Sequence, residues 1–162
     1  MAKGDMHLRL EGKRTGAIRG ESNAVAHLGE IEVSEWSWGM SAASALGASG
    51  AASRTALSEL RITKHVDTAS TALMAVMRNN EQIKKAVLSV RKSGGPAAID
   101  YLVITIEGGR LTAFNVGTAA PDSSELVERL SIAFEKIDVA YSEQDEKGAK
   151  KAASSFSAHI LP

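Results

Sequence analysis

The chain has 162 residues, with 19 Lys and Arg against 19 Asp and Glu, no cysteine, 44% apolar residues and 4% aromatic residues. That length suits a single domain over residues 1–162, large enough to bury a core without disulfides. Zero net charge argues against the basic face that nucleic acid rewards, and the missing cysteine excludes thiolate catalysis, cysteine-zinc sites and iron–sulfur clusters.

Met1–Asp5 runs into mixed polar sequence with no apolar signal core, and no stretch approaches eighteen apolar residues. Composition alone therefore keeps the chain in the cytoplasm, with no membrane insertion.

Alternation dominates the rest of the chain. Met6, Leu8 and Leu10 alternate with His7 and Arg9, which predicts a strand. Glu30–Gly39 (EIEVSEWSWG) puts Ile31 and Val33 in one phase and Trp36 and Trp38 in the other. A slip of one residue flips side chains to the other face unless a bulge absorbs it, so a bulged strand is expected here. Trp36 and Trp38 then read as core anchors, each costing about 3–5 kcal/mol to truncate. Ser37, between them, points away.

Met40–Ala56 (MSAASALGASGAASRTA) is Ala, Ser and Gly with no strand pattern, and reads as an extended loop whose small side chains could also lie against a partner. Leu60, Ile62, Lys64 and Val66 share one side of the next strand. Asp67 is a good N-cap for a helix of about three turns. Its apolar face is Ala69, Leu73, Val76 and Met77, and Asn79-Asn80 ends it.

Ala86, Leu88 and Val90 mark a third strand, and Tyr101–Ile106 a fourth with both faces partly apolar. Gly108-Gly109 reads as a two-residue hairpin turn into Leu111–Val116. In Ser124–Tyr141, Leu130, Ile132 and Phe134 precede Ile137, Val139 and Tyr141 with a slip near Glu135-Lys136. Leu126, Leu130, Ala133, Ile137 and Tyr141 also recur at helical spacing, so periodicity leaves helix and strand open. The tail from Lys150 to Pro162 has a weak strand pattern around Phe156 and Ile160.

The chemistry is sparse. His7, His27, His65 and His159 have no metal-ligand spacing and read as surface or edge-strand residues. Gly47-Ala48-Ser49-Gly50 lacks the spacing of a nucleophile elbow, and no phosphate-cradling glycine motif is present. Glu30, Glu32 and Glu35 read as a solvated face. No catalytic, metal or cofactor site is assigned, and an enzyme is not expected.

Several segments, in order and at consistent spacing from about Met6 to Tyr141, carry a resemblance. They are Gly20-Glu21-Ser22, then Gly29–Val33 leading to Trp36-Ser37-Trp38-Gly39. Ile62–Asp67, Arg91-Lys92-Ser93-Gly94-Gly95, Tyr101–Thr105 and Leu130–Tyr141 complete the series. Together they resemble the haemolysin-coregulated protein (Hcp) family of type VI secretion.

The resemblance implies a mainly β fold: a β-barrel of two antiparallel sheets with one flanking α-helix and an extended loop. It favours a long strand over a helix at Ser124–Tyr141. It implies a structural subunit that closes into homo-hexameric rings. The rings stack into a tube, which sheath contraction ejects behind a spike of the VgrG type, with effectors carried in the lumen. It implies cytoplasmic assembly and then secretion, extracellularly or into target cells, without a signal peptide. The loop becomes an arm reaching a neighbouring protomer, with Gly47, Gly50 and Arg54 as its contact residues, and Ser37 becomes a lumen-facing residue. Competing readings are a monomeric β-barrel that binds a small ligand, an effector chaperone or adaptor that does not assemble into tubes, and a small hydrolase using Ser49 or a histidine.

Overall fold

A computed structural model describes residues 5–42, 55–92, 99–144 and 150–160. Among these residues the chain forms twelve strands, one α-helix and a single 3-10 turn at Val25–His27. The strands are β1 (Asp5–Gly12), β2 (Gly16–Ile18), β3 (Ile31–Glu32), β4 (Glu35–Ser37), β5 (Met40–Ala42), β6 (Thr55–Leu57), β7 (Leu60–His65), β8 (Ile83–Arg91), β9 (Asp100–Thr118), β10 (Leu126–Ala133), β11 (Lys136–Gln144) and β12 (Lys150–His159); the helix α1 is Ser70–Arg78.

Two antiparallel layers share the long strand β9. Its first half pairs with β8 on one side and β11 on the other; β1 follows β8, and β12 follows β11. Its second half pairs with β10, which leads to β7 and β4. The alternation read in the sequence is what fills the space between the layers. Leu8, Leu88, Ile104 and Val139 stand in register across the first layer, and Trp36, Ile62, Leu130 and Phe114 across the second. Leu8, Leu10, Ile31, Leu60, Leu88, Ile106 and Leu130 are almost wholly buried in the resulting core. Truncating such a residue to alanine costs about 2–5 kcal/mol.

Both phase slips mark places where the chain changes layers, instead of bulges within one strand. Val33 donates its N–H to the Met6 carbonyl at 3.0 Å in the first layer; the next residue, Ser34, donates to the Thr63 carbonyl at 2.8 Å in the second. Ser124–Tyr141 likewise divides into β10 and β11, which pair with opposite halves of β9. The single long strand expected there is two.

Gly108-Gly109 is also not a hairpin turn. It is the bend at which β9 runs from one layer into the other. Gly108 has φ +64°, and a Cβ there would lie 2.7 Å from the Glu135 carboxylate. A Cβ on Gly109 would lie 2.6 Å from the Ala133 carbonyl oxygen. Backbone packs against backbone at Gly109, and Gly108 adopts a left-handed conformation, so both positions favour glycine.

The helix starts three residues after its expected cap. Asp67 does accept the Ala69 N–H at 2.9 Å, but through a turn that precedes α1. Ala69, Leu73 and Val76 face the core as the periodicity requires. The tail forms β12, paired along β11.

Candidate assembly surfaces

The outward face of the second layer carries Ser37. With Trp36 turned inward, the neighbours of Ser37 on the pleat are Glu35 on β4, Arg61 and Thr63 on β7, Arg129 and Ser131 on β10, and Ala113 and Asn115 on β9. These residues line an open groove of about 220 Å³. Ser37, Arg61, Arg129 and Asn115 are exposed. The surface is small-residued and polar, with two guanidinium groups and one carboxylate, and alternation alone had turned Ser37 out of the core.

Trp36 and Trp38 are half-buried and pack on the core from its rim, so neither is a central anchor. Trp38 lies against Phe156 of β12, ring centroids 6.5 Å apart, and its indole N–H is buried without a partner. Truncating a rim ring removes less contact than the full burial assumed for the sequence estimate.

The base of the loop is a two-stranded ribbon of β5 and β6, in which Met40 is 55% exposed. Gly47, Gly50 and Arg54 lie outside the described residues.

The other notable surface is β12. It pairs with β11 alone among the described strands, and Ala152–Ser157 are exposed on both faces. A largely exposed strand of mostly small residues, touched on one face by Trp38 at Phe156 and with one edge open among the described strands, offers a row of backbone donors and acceptors to any partner.

The histidines divide into two kinds. His65 and His159 are exposed, as expected, and His65 pairs with Glu125 on the surface. His7 and His27 are buried, against expectation, because residues 19–30 fold over the outside of β1 as a strap. The strap closes on itself: Gly20 N–H bonds to Gly29 O at 2.8 Å, Gly29 N–H to Ser22 O at 2.8 Å, and Ser22 N–H to Glu30 O at 3.0 Å. Gly20 is tied to this site, since a Cβ there would meet Glu30 O at 2.6 Å. Glu21 accepts the Thr68 N–H at 2.8 Å and fastens the strap beside the helix start. Glu30, read as part of a solvated face, instead bonds His27; Glu32 and Glu35 are exposed.

A second buried cluster joins β7, β10 and α1. Lys64 Nζ lies 2.9 Å from Asp67 Oδ1 and 3.3 Å from Glu128 Oε2, and the side chains of Lys64 and Glu128 are wholly buried. The Ser70 hydroxyl donates to Glu128. At the far end of the barrel, Glu81 accepts the N–H groups of Arg14 and Thr15 at 3.0 and 2.8 Å. Those bonds, with one from the Thr15 hydroxyl, hold its carboxyl below the usual range.

Comparison with known proteins agrees with this architecture. Residues 7–141 match the family described as "Type VI secretion system effector, Hcp". The chain is 31% identical to protein hcp1 of Pseudomonas aeruginosa over 148 residues, covering 90% of this chain and 88% of that one. Among solved structures, a type six secretion system protein superposes with TM-score 0.81 at 19% identity, covering 96% of each chain. A type VI secretion system effector from Yersinia pestis does so with TM-score 0.75 at 21% identity, covering 96% of this chain and all of the other.

Proposed function

Because the chain belongs to the Hcp family of type VI secretion, we propose that it is a tube subunit whose copies close into six-membered rings that stack end to end. The rings assemble in the cytoplasm. Sheath contraction ejects the stacked tube behind a VgrG-type spike, with effector proteins held in the lumen. The observation that carries this reading is β12, whose outer edge has no partner among the described strands and whose residues Ala152–Ser157 are exposed. A lone copy would display an aggregation-prone edge; a neighbour in a ring covers it. Ring closure needs a heterologous contact that returns to its start, and stacking needs a second heterologous contact that does not. The Met40–Ala56 arm supplies the stacking contact, through Gly47, Gly50 and Arg54. Ser37 and its polar groove line the lumen.

The test is negative-stain imaging and mass measurement of the purified chain. Six-membered rings are expected, and monomers at high concentration overturn the proposal. Ser155→Lys, a charge on the exposed edge strand, abolishes rings while leaving thermal stability unchanged. Removing residues 42–54 keeps rings and weakens their stacking. The chain has no cysteine, so a gold label on Ser37→Cys is unique; label density at the ring centre is expected, and density on the outer rim removes Ser37 from the lumen.

A further inference from the structure

His7 and His27 form a buried cluster with carboxylates on the side of the barrel covered by the strap. Their rings stack with centroids 4.7 Å apart and planes 8° from parallel. His27 is clamped at both ends: Nδ1 lies 3.1 Å from the Glu30 carboxylate and Nε2 3.0 Å from that of Asp100. Only a ring with two N–H groups can donate to both. His7 has no such support, and its Nδ1 is buried with no hydrogen-bond partner.

The groups facing His7 come from every element around it. The strap supplies His27 and Glu30, β3 supplies Glu32 directly opposite, and β8 supplies Arg91. Asp5 and Arg9 flank it on its own strand. Arg91 Nε is 3.6 Å from Asp100 Oδ1, so the guanidinium shares the carboxylate that holds His27.

We propose that the His7–His27 stack is an acid-operated latch: with His7 neutral the strap is sealed onto β1, and a proton on His7 releases it. A protonated His7 would set a second cation face to face with His27 and close to Arg91, with no acceptor for its buried Nδ1 proton among the described residues. Burial chiefly, then His27 and Arg91, hold the His7 ring below its ordinary value of 6.5, against the opposing pull of Glu30 and Glu32. The unfolded or opened chain therefore takes up the proton more readily than the closed one. The stability of the closed strap is fully present above about 6.5 and falls as the pH drops below it, toward the lowered value of the closed form. Release has a surface consequence. The strap carries Val25 and Leu28, 98% and 71% exposed, so the latch controls where an apolar knob sits. The latch rests on the geometry of the cluster and is independent of ring formation.

Hydrogen exchange of the full chain at pH 7.5 and 5.5, with times scaled for the intrinsic rate, tests it. The amides to monitor are Gly20, Ser22, His27 and Gly29, each bonded within the strap. At pH 5.5 they are expected to exchange faster by up to about tenfold, the ceiling for one proton on a group of ordinary value 6.5, while Leu88 and Ile104 in the core strands stay protected. His7→Phe keeps the stacked ring and cannot take a proton, so its strap stays protected at both pH values. Unchanged strap exchange in the wild type, equal loss in His7→Phe, or loss shared by the core strands would each overturn the latch. Should His7→Phe fail to fold, the ring-proton titration of wild-type His7 decides. A midpoint below those of exposed His65 and His159 is required, and one at or above them refutes the proposal.

Discussion

Two buried ionic clusters fasten this barrel, and they fasten it differently. In one, Lys64 meets Glu128 directly across the β7–β10 ladder, both side chains wholly buried, with Asp67 and Ser70 completing the set. In the other, His27 bridges Glu30 and Asp100, whose side chains keep 17% and 28% of their exposure. The first is built from an ammonium and carboxylates joined by direct contacts and closed off from solvent. The second turns on a stacked imidazole pair, in which burial chiefly holds His7 below its ordinary value. A lysine–carboxylate cluster makes a permanent join between a layer and the helix. A histidine cluster makes a conditional one between the barrel and its strap.

The sharpest way to break that contrast is to remove one member of the sealed pair. Lys64→Met strands Glu128 without a counter-charge and should cost about 3–5 kcal/mol, read from the urea midpoint at constant slope. The paired change Lys64→Met with Glu128→Leu should recover most of the loss, because apolar side chains fill buried ion-pair sites well. A single-variant loss below about 1 kcal/mol would show that water reaches the cluster.

The strap cluster should be more forgiving. His27→Gln leaves one of Glu30 and Asp100 without its donor, but both retain some contact with solvent. A loss of about 1–3 kcal/mol at neutral pH is expected. If His27→Gln proves costlier than Lys64→Met, the order of the two clusters is reversed and burial is the wrong reason for it.

The two clusters were also unequally legible. Lys64 falls in the same phase as Leu60 and Ile62, and Glu128 in the phase of Leu130 and Ile132. Charges in the apolar phase of two strands are the signature of a buried pair, and the sequence carried the first half of it openly. The strap had no such signal. Residues 19–30 have no period, and nothing local says that they will cover His7, which alternation assigned to the outside. The same distinction runs through the fold. Strand phases, the helix face and the outward turn of Ser37 follow from neighbours in sequence. The two layer changes, the bend at Gly108-Gly109 and the rim position of the tryptophans depend on which strand lies alongside, and spacing does not encode that. Ordered motifs identified the family where no single residue cluster could.

The smallest expected effect isolates burial from chemistry. His65 and Glu125 make the same kind of histidine–carboxylate contact as His27 and its partners, but their side chains are 56% and 53% exposed. Water solvates both groups before and after the contact forms, and salt screens what attraction remains. His65→Ala should therefore cost under about 1 kcal/mol, and any electrostatic part of that should fade in 1 M salt, where the screening length falls to about 3 Å. Set against His27→Ala, which removes the same atoms, His65→Ala measures what the second carboxylate and the strap's enclosure add together. Equal losses at the two sites would mean that the strap does not seal His27 from water. A dry, closed latch at His7 would then be untenable, whatever the stacking geometry suggests.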